Sequence, residues 1–241
     1  VTAGARSAVR VRHLGWSGLA VELDGDTLFV DPPAPVAGPV AVTWTERERV
    51  EGARRSTGPL AAAAEVLAWL GRPGVPLTET PIPLGDFALS ALAYRPIPYA
   101  TAAEAARKTR SALLAPLTAA GRLAFTLRRV PSAPLALRID RGERRVVLLG
   151  QALHRFRTPE EVAALAAWAG PADIVVAGTD YDDEPAVGEQ LSAFDARSHV
   201  VADLTGEIRR ALRLPVRALS VTVAAAPRGT RKLGPRDEVR A

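Results

Sequence analysis

The stretch HLGWSGLAVELDGDTLFVDPP, residues 13–33, decides how the chain is built. GLAVELD alternates apolar and polar side chains after a glycine turn, and Asp24-Gly25-Asp26 then leads into TLFVDPP. Period-two alternation buries every second side chain, and an Asp-Gly pair between two such runs is a tight hairpin signal. Just before it, AVRVRHL (residues 8–14) alternates in the same way, so the chain opens on a strand meander.

Outward from this meander, GPVAVT (residues 38–43) is a short apolar run bounded by Gly38-Pro39. It passes into a charged, Trp-bearing turn, AVTWTERERVEGA (residues 41–53), with Trp44 at the junction. LAAAAEVLAWL (residues 60–70) predicts a helix that stops at Gly71, with Pro73 just beyond. FALSALAY (87–94) predicts a strand, and residues 100–121 a helix that Pro116 kinks or breaks. The second half repeats this grammar. LAFTLRRV (123–130), LALRID (135–140) and RRVVLLG (144–150) predict strands, with a turn at DRGE. TPEEVAALAAWAG (158–170) carries a capping box, with Thr158 as N-cap, Pro159 first in the helix, Glu161 three after the cap and Gly170 at the end. ADIVVAG (172–178) is apolar from Ile174 onward, as a strand buried on both faces is. EPAVGEQLSAF (184–194) and GEIRRAL (206–212) predict helices, and SHVVADL (198–204) and ALSVTVAA (218–225) strands. Meanders followed by β-α units, twice over, predict two sheets face to face with helices outside: a four-layer αββα sandwich in one domain over residues 1–241, with a tail from about residue 226.

Composition narrows the chemistry. The 241 residues are 48% hydrophobic, enough for one sizeable core. No apolar run approaches a membrane span, and no secretory h-region opens the chain, so a cytoplasmic setting is the default expectation. With no cysteine there are no disulfides, thiolate metal sites or Cys nucleophile. The formal charge is +5, carried mostly by arginine. The arginines are scattered and aromatics are 5%, so nucleic acid is disfavoured as a partner; a protein partner or a second copy of the chain stays open. The densest basic segment, PRGTRKLGPRDEVR near the C-terminus, reads equally as a frayed tail.

The stretch 13–33, the strand pair with its following helix and apolar strand (135–178), and ARSHVVADLTGE (196–207) together resemble the metallo-β-lactamase-fold proteins. The branch they are most similar to is that of L-ascorbate-6-phosphate lactonase. The resemblance covers about residues 8–225 and implies the αββα fold. In that family the strand corresponding to VAVT delivers a Thr-His-x-His-x-Asp-His turn that binds metal. Aligned on Thr43, the ligand positions here hold Trp44, Glu46, Glu48 and Arg49. A histidine expected near ALAYRP is replaced by Tyr94-Arg95, the bridging aspartate by Gln151 and the last histidine by Asp203; the early Gly-His pair is Gly15-Trp16.

Zinc takes three or four converging His, Cys or carboxylate ligands. The chain has only His13, His154 and His199, so a His-based dinuclear site is excluded and no metal or other cofactor is expected. A hard-cation site of Glu46, Glu48 and Asp203 would face Arg49 and Arg95, which favours ion pairing instead. Two functions follow. The first is a degenerate, non-catalytic member with a structural, regulatory or partner-binding role. The second is an enzyme with a rebuilt metal-independent site, using Glu46, Glu48, Arg49, Arg95 and Asp203 as acid, base and anion clamp. A basic nucleic-acid-binding protein is a third. Trp16 and Trp44 would fill the former metal cavity or stack on a ligand, and Gln151 and His154 stand near the same strand end, where an anion contact or a solvated loop are the alternatives.

Overall fold

The computed structural model describes residues 9–15, 18–44, 47–94, 132–179, 184–203, 226–234 and 236–241, with the backbone alone at 47–49, 184 and 203. The segments 100–121, 123–130, 206–212 and 218–225 lie outside the described residues, as do Trp16, Glu46 and Arg95. The first half contributes β1 (Val9–Gly15), β2 (Gly18–Leu23), β3 (Asp26–Val30), β4 (Val40–Val42), α1 (Arg47–Arg55), β5 (Leu60–Ala62), α2 (Ala64–Leu70) and β6 (Val75–Pro76). Next come β7 (Ile82–Leu84), β8 (Phe87–Ala93), β9 (Leu135–Arg141), β10 (Arg144–Gly150), α3 (Pro159–Ala169) and β11 (Ala172–Thr179). The chain ends with α4 (Glu184–Gln190), β12 (Ala196–Asp203), β13 (Arg231–Leu233) and β14 (Glu238–Arg240).

Among the described residues the strands form two seven-stranded sheets, ordered β14-β1-β2-β3-β4-β5-β6 and β13-β12-β11-β10-β9-β8-β7. Each is mixed: the hairpin strands pair antiparallel (β14 to β3, and β7 to β10), and the crossover strands pair parallel (β3 to β6, and β10 to β13). The alternation read from the sequence sets the faces. In β1, Val9, Val11 and His13 are buried while Arg12 is exposed; in β2, Leu19, Val21 and Leu23 point the same way.

Three hydrophobic clusters correspond to the three interfaces of a four-layer stack. The central one joins Val11, Val21 and Leu28 of the first sheet to Leu137, Ile174 and Val200 of the second. A second packs Val147, Val175 and Val201 beneath Val162 and Leu165 of α3 and Val187 of α4. A third packs Val40, Val42, Leu60 and Ala62 beneath Val50 and Ala53 of α1 and Val66 and Leu70 of α2. The four-layer αββα sandwich expected from the sequence is therefore the observed fold, and the capping box of α3 forms: Glu161 N–H donates to Thr158 Oγ1 at 3.3 Å and Thr158 N–H to Glu161 Oε2 at 3.0 Å. Among the described residues no helix is long and apolar enough to cross a membrane.

Three expectations are corrected. Residues 60–62 are strand, and the helix begins only at Ala64. Leu60–Ala62 are buried at every position and pair parallel with β4, a tertiary demand that overrides the helix propensity of alanine. The charged turn after Trp44 becomes α1, whose Val50 and Ala53 are buried against β4. Its end is held from a distance: the Arg72 guanidinium donates to the carbonyl of Ala53 in the last turn at 2.8 Å, and to those of Ser56 at 2.8 Å and Gly58 at 3.0 Å just beyond it. The basic C-terminal segment is not frayed. β13 pairs with β12 and β14 with β1, so the segment supplies one edge strand to each sheet.

Candidate functional site

The carboxyl ends of β3, β4, β8, β10, β11 and β12 meet at one pole of the sandwich. Here Leu135 N–H, at the start of β9, donates to the carbonyl of Thr43 at 3.0 Å, and Tyr94 N–H donates to the carbonyl of Pro134 at 3.1 Å. The first sheet presents Asp31, Thr43 and Trp44 to the space between the sheets, and the second presents Gly150, Gly178 and Ala202. In open α/β sheets, ligands bind outside the carboxyl ends of strands, which makes this pole the candidate site. The space that remains is about 20 Å³, roughly enough for one water molecule.

Asp31 organises the first-sheet side. It is 1% exposed and has φ +48°. Its Oδ1 accepts the backbone N–H groups of Thr43 at 2.8 Å and Trp44 at 3.1 Å, and its Oδ2 accepts the Thr43 hydroxyl. A buried carboxylate needs such donors, and these three fix the turn that follows β4. Close packing holds the Asp31-Pro32-Pro33 segment from both sides. A Cβ at Gly52 of α1 would stand 1.9 Å from the Pro32 carbonyl oxygen, and one at Gly18 would stand 2.6 Å from Pro33 Cδ. In the sequence Asp31-Pro32 only closes the run TLFVDPP; the aspartate's work appears once β3 and β4 lie side by side.

Trp44, 6% exposed, belongs to the central core between the sheets. Across the cleft, the Tyr94 hydroxyl accepts the N–H of Gln151 at 2.9 Å and occupies the room beside Gly150, where a Cβ would lie 2.6 Å from that hydroxyl. Gly150 has φ +54°, a conformation that favours glycine. His154 is 2% exposed, in the second core layer rather than in a solvated loop. Its Nδ1 accepts Phe156 N–H at 3.2 Å, its carbonyl accepts Gln190 Nε2 at 2.9 Å, and its buried Nε2 has no hydrogen-bond partner among the described residues. Burial, with Arg157 adding to it and Glu161 partly opposing, pushes the ring down to about 4, so it is neutral at pH 7.

The remaining candidates are placed only in part. Glu48 and Arg49 stand in the first turn of α1, and Asp203 closes β12; the backbone alone is described there. The carboxylate–arginine clustering visible among the described residues lies at the opposite pole. Asp173 pairs with Arg144 and Arg197, both at 3.1 Å, and Asp140 pairs with Arg145 at 2.5 Å and Arg138 at 3.3 Å. Trp168 lies on the outer face of the second sheet beneath the Arg138 guanidinium, 5.9 Å from its ring centroid. Among the described residues no three His, Asp or Glu side chains come together as a metal site would require. Asp31, the carboxylate that lines the cleft, already directs both oxygens at Thr43 and Trp44. The described lining therefore does not fit zinc or iron.

No protein-family model and no curated protein matches the chain. Solved structures do. CmlA, a diiron β-hydroxylase from Streptomyces venezuelae, aligns over 98% of this chain with a TM-score of 0.63 and 14% identity; the chain spans 55% of CmlA. Igni18, a metallo hydrolase from Ignicoccus hospitalis, has a TM-score of 0.58 and 12% identity over 98% of this chain and 99% of its own. The metallo-β-lactamase fold protein YhfI from Bacillus subtilis has the same score and identity over 96% and 99%. With the sheet order and the four layers, these likenesses show that the chain has the metallo-β-lactamase-like αββα fold.

Proposed function

We propose that this chain is a degenerate metallo-β-lactamase-fold protein, near the L-ascorbate-6-phosphate lactonase branch, whose cleft is plugged and holds no metal centre. Its role is then non-catalytic: structural, regulatory or partner-binding, in the cytoplasm. The observation that carries this reading is Trp44. An indole stands where the aligned turn would offer its first imidazole, 6% exposed and part of the core, and it leaves about 20 Å³ between the sheets. Tyr94 and Gln151 support it from the other sheet, since a phenol and a backbone N–H are engaged with each other where a histidine and a bridging aspartate would stand. Glu46, Glu48, Arg49, Arg95 and Asp203 complete the plug as ion pairs, in which arginine balances carboxylates left without a cation.

Elemental analysis of the purified chain, after dialysis against a weak chelator, tests the first half; about one zinc or iron per chain would overturn it. Arg49→Ala tests the second. Removing one partner of a buried pair costs roughly 3–5 kcal/mol, and Arg49→Ala with Glu48→Ala should recover part of that loss. If Arg49→Ala is as stable as the parent yet abolishes a measurable hydrolysis, the rebuilt metal-independent enzyme replaces the plug.

A further inference from the structure

The turn between β10 and α3, residues 151–157, hangs on one side chain. His154 is 2% exposed. Its carbonyl accepts two donors, Arg157 N–H at 3.0 Å and Gln190 Nε2 of α4 at 2.9 Å, and its Nδ1 accepts Phe156 N–H at 3.2 Å. Arg157 closes the turn from its far end, where its Nε donates to the Ala152 carbonyl at 2.8 Å. The first residue of the turn, Gln151, donates its N–H to the Tyr94 hydroxyl at the wall of the cleft, at 2.9 Å. Ala152 and Leu153 are buried in the core layer beneath α3 and α4, whereas Phe156 is 43% exposed.

A neutral imidazole that accepts at Nδ1 carries its proton on Nε2. In His154 that N–H is a buried donor with no acceptor among the described residues. Gln190 Oε1, on the side chain already joined to His154, is a buried acceptor with no donor among them. Buried groups left unmet weaken the segment that carries them. Protonation weakens it further. An imidazolium donates from both nitrogens, so a proton at Nδ1 faces the Phe156 N–H, donor against donor, and breaks the bond that shapes the turn. The charges around the ring do not rescue it. Arg157 opposes the added charge; Glu161 of α3 offsets it in part, but its carboxylate is already engaged by the Arg157 guanidinium at 3.1 Å and by Thr158 N–H at 3.0 Å. Glu160, beside it, is engaged by the Thr158 side chain. From α4 the uncharged Gln190 reaches the turn, with Glu189 exposed next to it, and the Arg155 guanidinium lies over the Phe156 ring, 5.3 Å from its centroid.

We propose that residues 151–157 form an acid-released latch: protonation of His154 frees the turn from Gln190 and from its own Phe156 N–H, and loosens Gln151 from Tyr94 at the cleft wall, while both sheets stay folded. The device sits at the pole where the strands' carboxyl ends meet, and it works alike whether the cleft is plugged or catalytic. The sign follows from the ring, whose pKa is 6.5 when free and about 4 in the closed turn. A base with a depressed pKa holds the closed state fully above about pH 6.5 and releases it as the pH falls toward about 4. Between pH 7 and pH 5 these two values raise the open fraction about twentyfold.

The test is amide hydrogen exchange of the full chain at pH 7 and pH 5, corrected for the intrinsic effect of pH on exchange. Protection of the Gln151, Phe156 and Arg157 amides should fall about twentyfold between the two. Urea at about 0.5 M should leave that protection nearly unchanged, because opening one turn exposes little surface. The amides of β11 should be better protected at both pH values and should lose about tenfold in the same urea, as groups that exchange by global unfolding do. His154→Gln takes up no proton, and its carboxamide can still accept Phe156 N–H; its turn should keep protection at pH 5 within about threefold of the value at pH 7. The proposal is overturned if the three turn amides exchange as slowly as β11 and follow urea as β11 does, since global unfolding is then their route. It is equally overturned if their protection is the same at the two pH values, or if the loss at pH 5 persists in His154→Gln. The pH and urea comparisons use the parent alone and decide the matter if the variant folds poorly.

Discussion

His154 should make the protein acid-sensitive well above the carboxylate range. His154 is 2% exposed, its Nε2 has no acceptor among the described residues, and the folded state pushes its pKa from 6.5 down to about 4. A base whose folded pKa is depressed is protonated preferentially in the unfolded chain. Stability is therefore complete above about pH 6.5 and is lost as the pH falls toward about 4. With these two values the loss relative to pH 7 is about 2 kcal/mol at pH 5 and about 3 kcal/mol at pH 4. Three glutamates titrate below this window. Glu160, Glu161 and Glu238 are held below the usual carboxylate range, by hydrogen bonds from the Thr158 side chain, the Thr158 backbone and Arg240 respectively, so their stabilisation is lost only at more acid pH. Urea titrations at pH 7, 6 and 5 measure the effect in the parent and in His154→Gln, whose carboxamide can still accept Phe156 N–H. The parent should lose about 2 kcal/mol more than the variant between pH 7 and 5. Parallel stability profiles for the two would refute the reasoning, because His13 and His199 are common to both.

Trp44→Ala should cost about 3–5 kcal/mol, read from the urea midpoint, since the indole is part of the central core and its removal leaves a cavity. Asp31→Asn should cost about 2–3 kcal/mol, because an amide cannot accept on both sides and leaves a Thr43 or Trp44 donor unmet; an unchanged melting temperature would show that the turn after β4 holds without it. Gly52→Ala sets two effects against each other. Helix propensity favours alanine by about 1 kcal/mol, but a Cβ 1.9 Å from the Pro32 carbonyl forces a backbone shift costing about 3 kcal/mol or more, so the variant should be less stable by thermal melt.

Near-neighbour chemistry determined the parts that depend on near neighbours. The β2–β3 hairpin follows from alternation and from Asp24-Gly25, whose φ values of +52° and +90° suit a tight turn. The α3 helix follows from Thr158 and Glu161, which satisfy each other within a single turn, and from Pro159, whose fixed φ suits the first helical position. Doubling of the meander and β-α pattern was enough for the four layers. Residues 60–62 show where this information ends: alanine and leucine suit a helix, and only the place reserved between β4 and β6 makes them strand. Likewise α1 is held by Arg72 and by Pro32, 17 and 20 residues away from Arg55 and Gly52 in the chain, and no local pattern announces either contact. At the cleft, Trp44, Tyr94 and Gln151 are plain in the sequence, but the burial of Trp44 and the meeting of Tyr94 with Gln151 needed two sheets to close on each other. The C-terminal basic segment is the furthest case. Its residues are plain in the sequence, yet the place of its backbone comes from hydrogen bonds between Arg236 and Asp237 and His13, more than two hundred residues earlier, and long-range pairing of that kind exists only once the chain has folded.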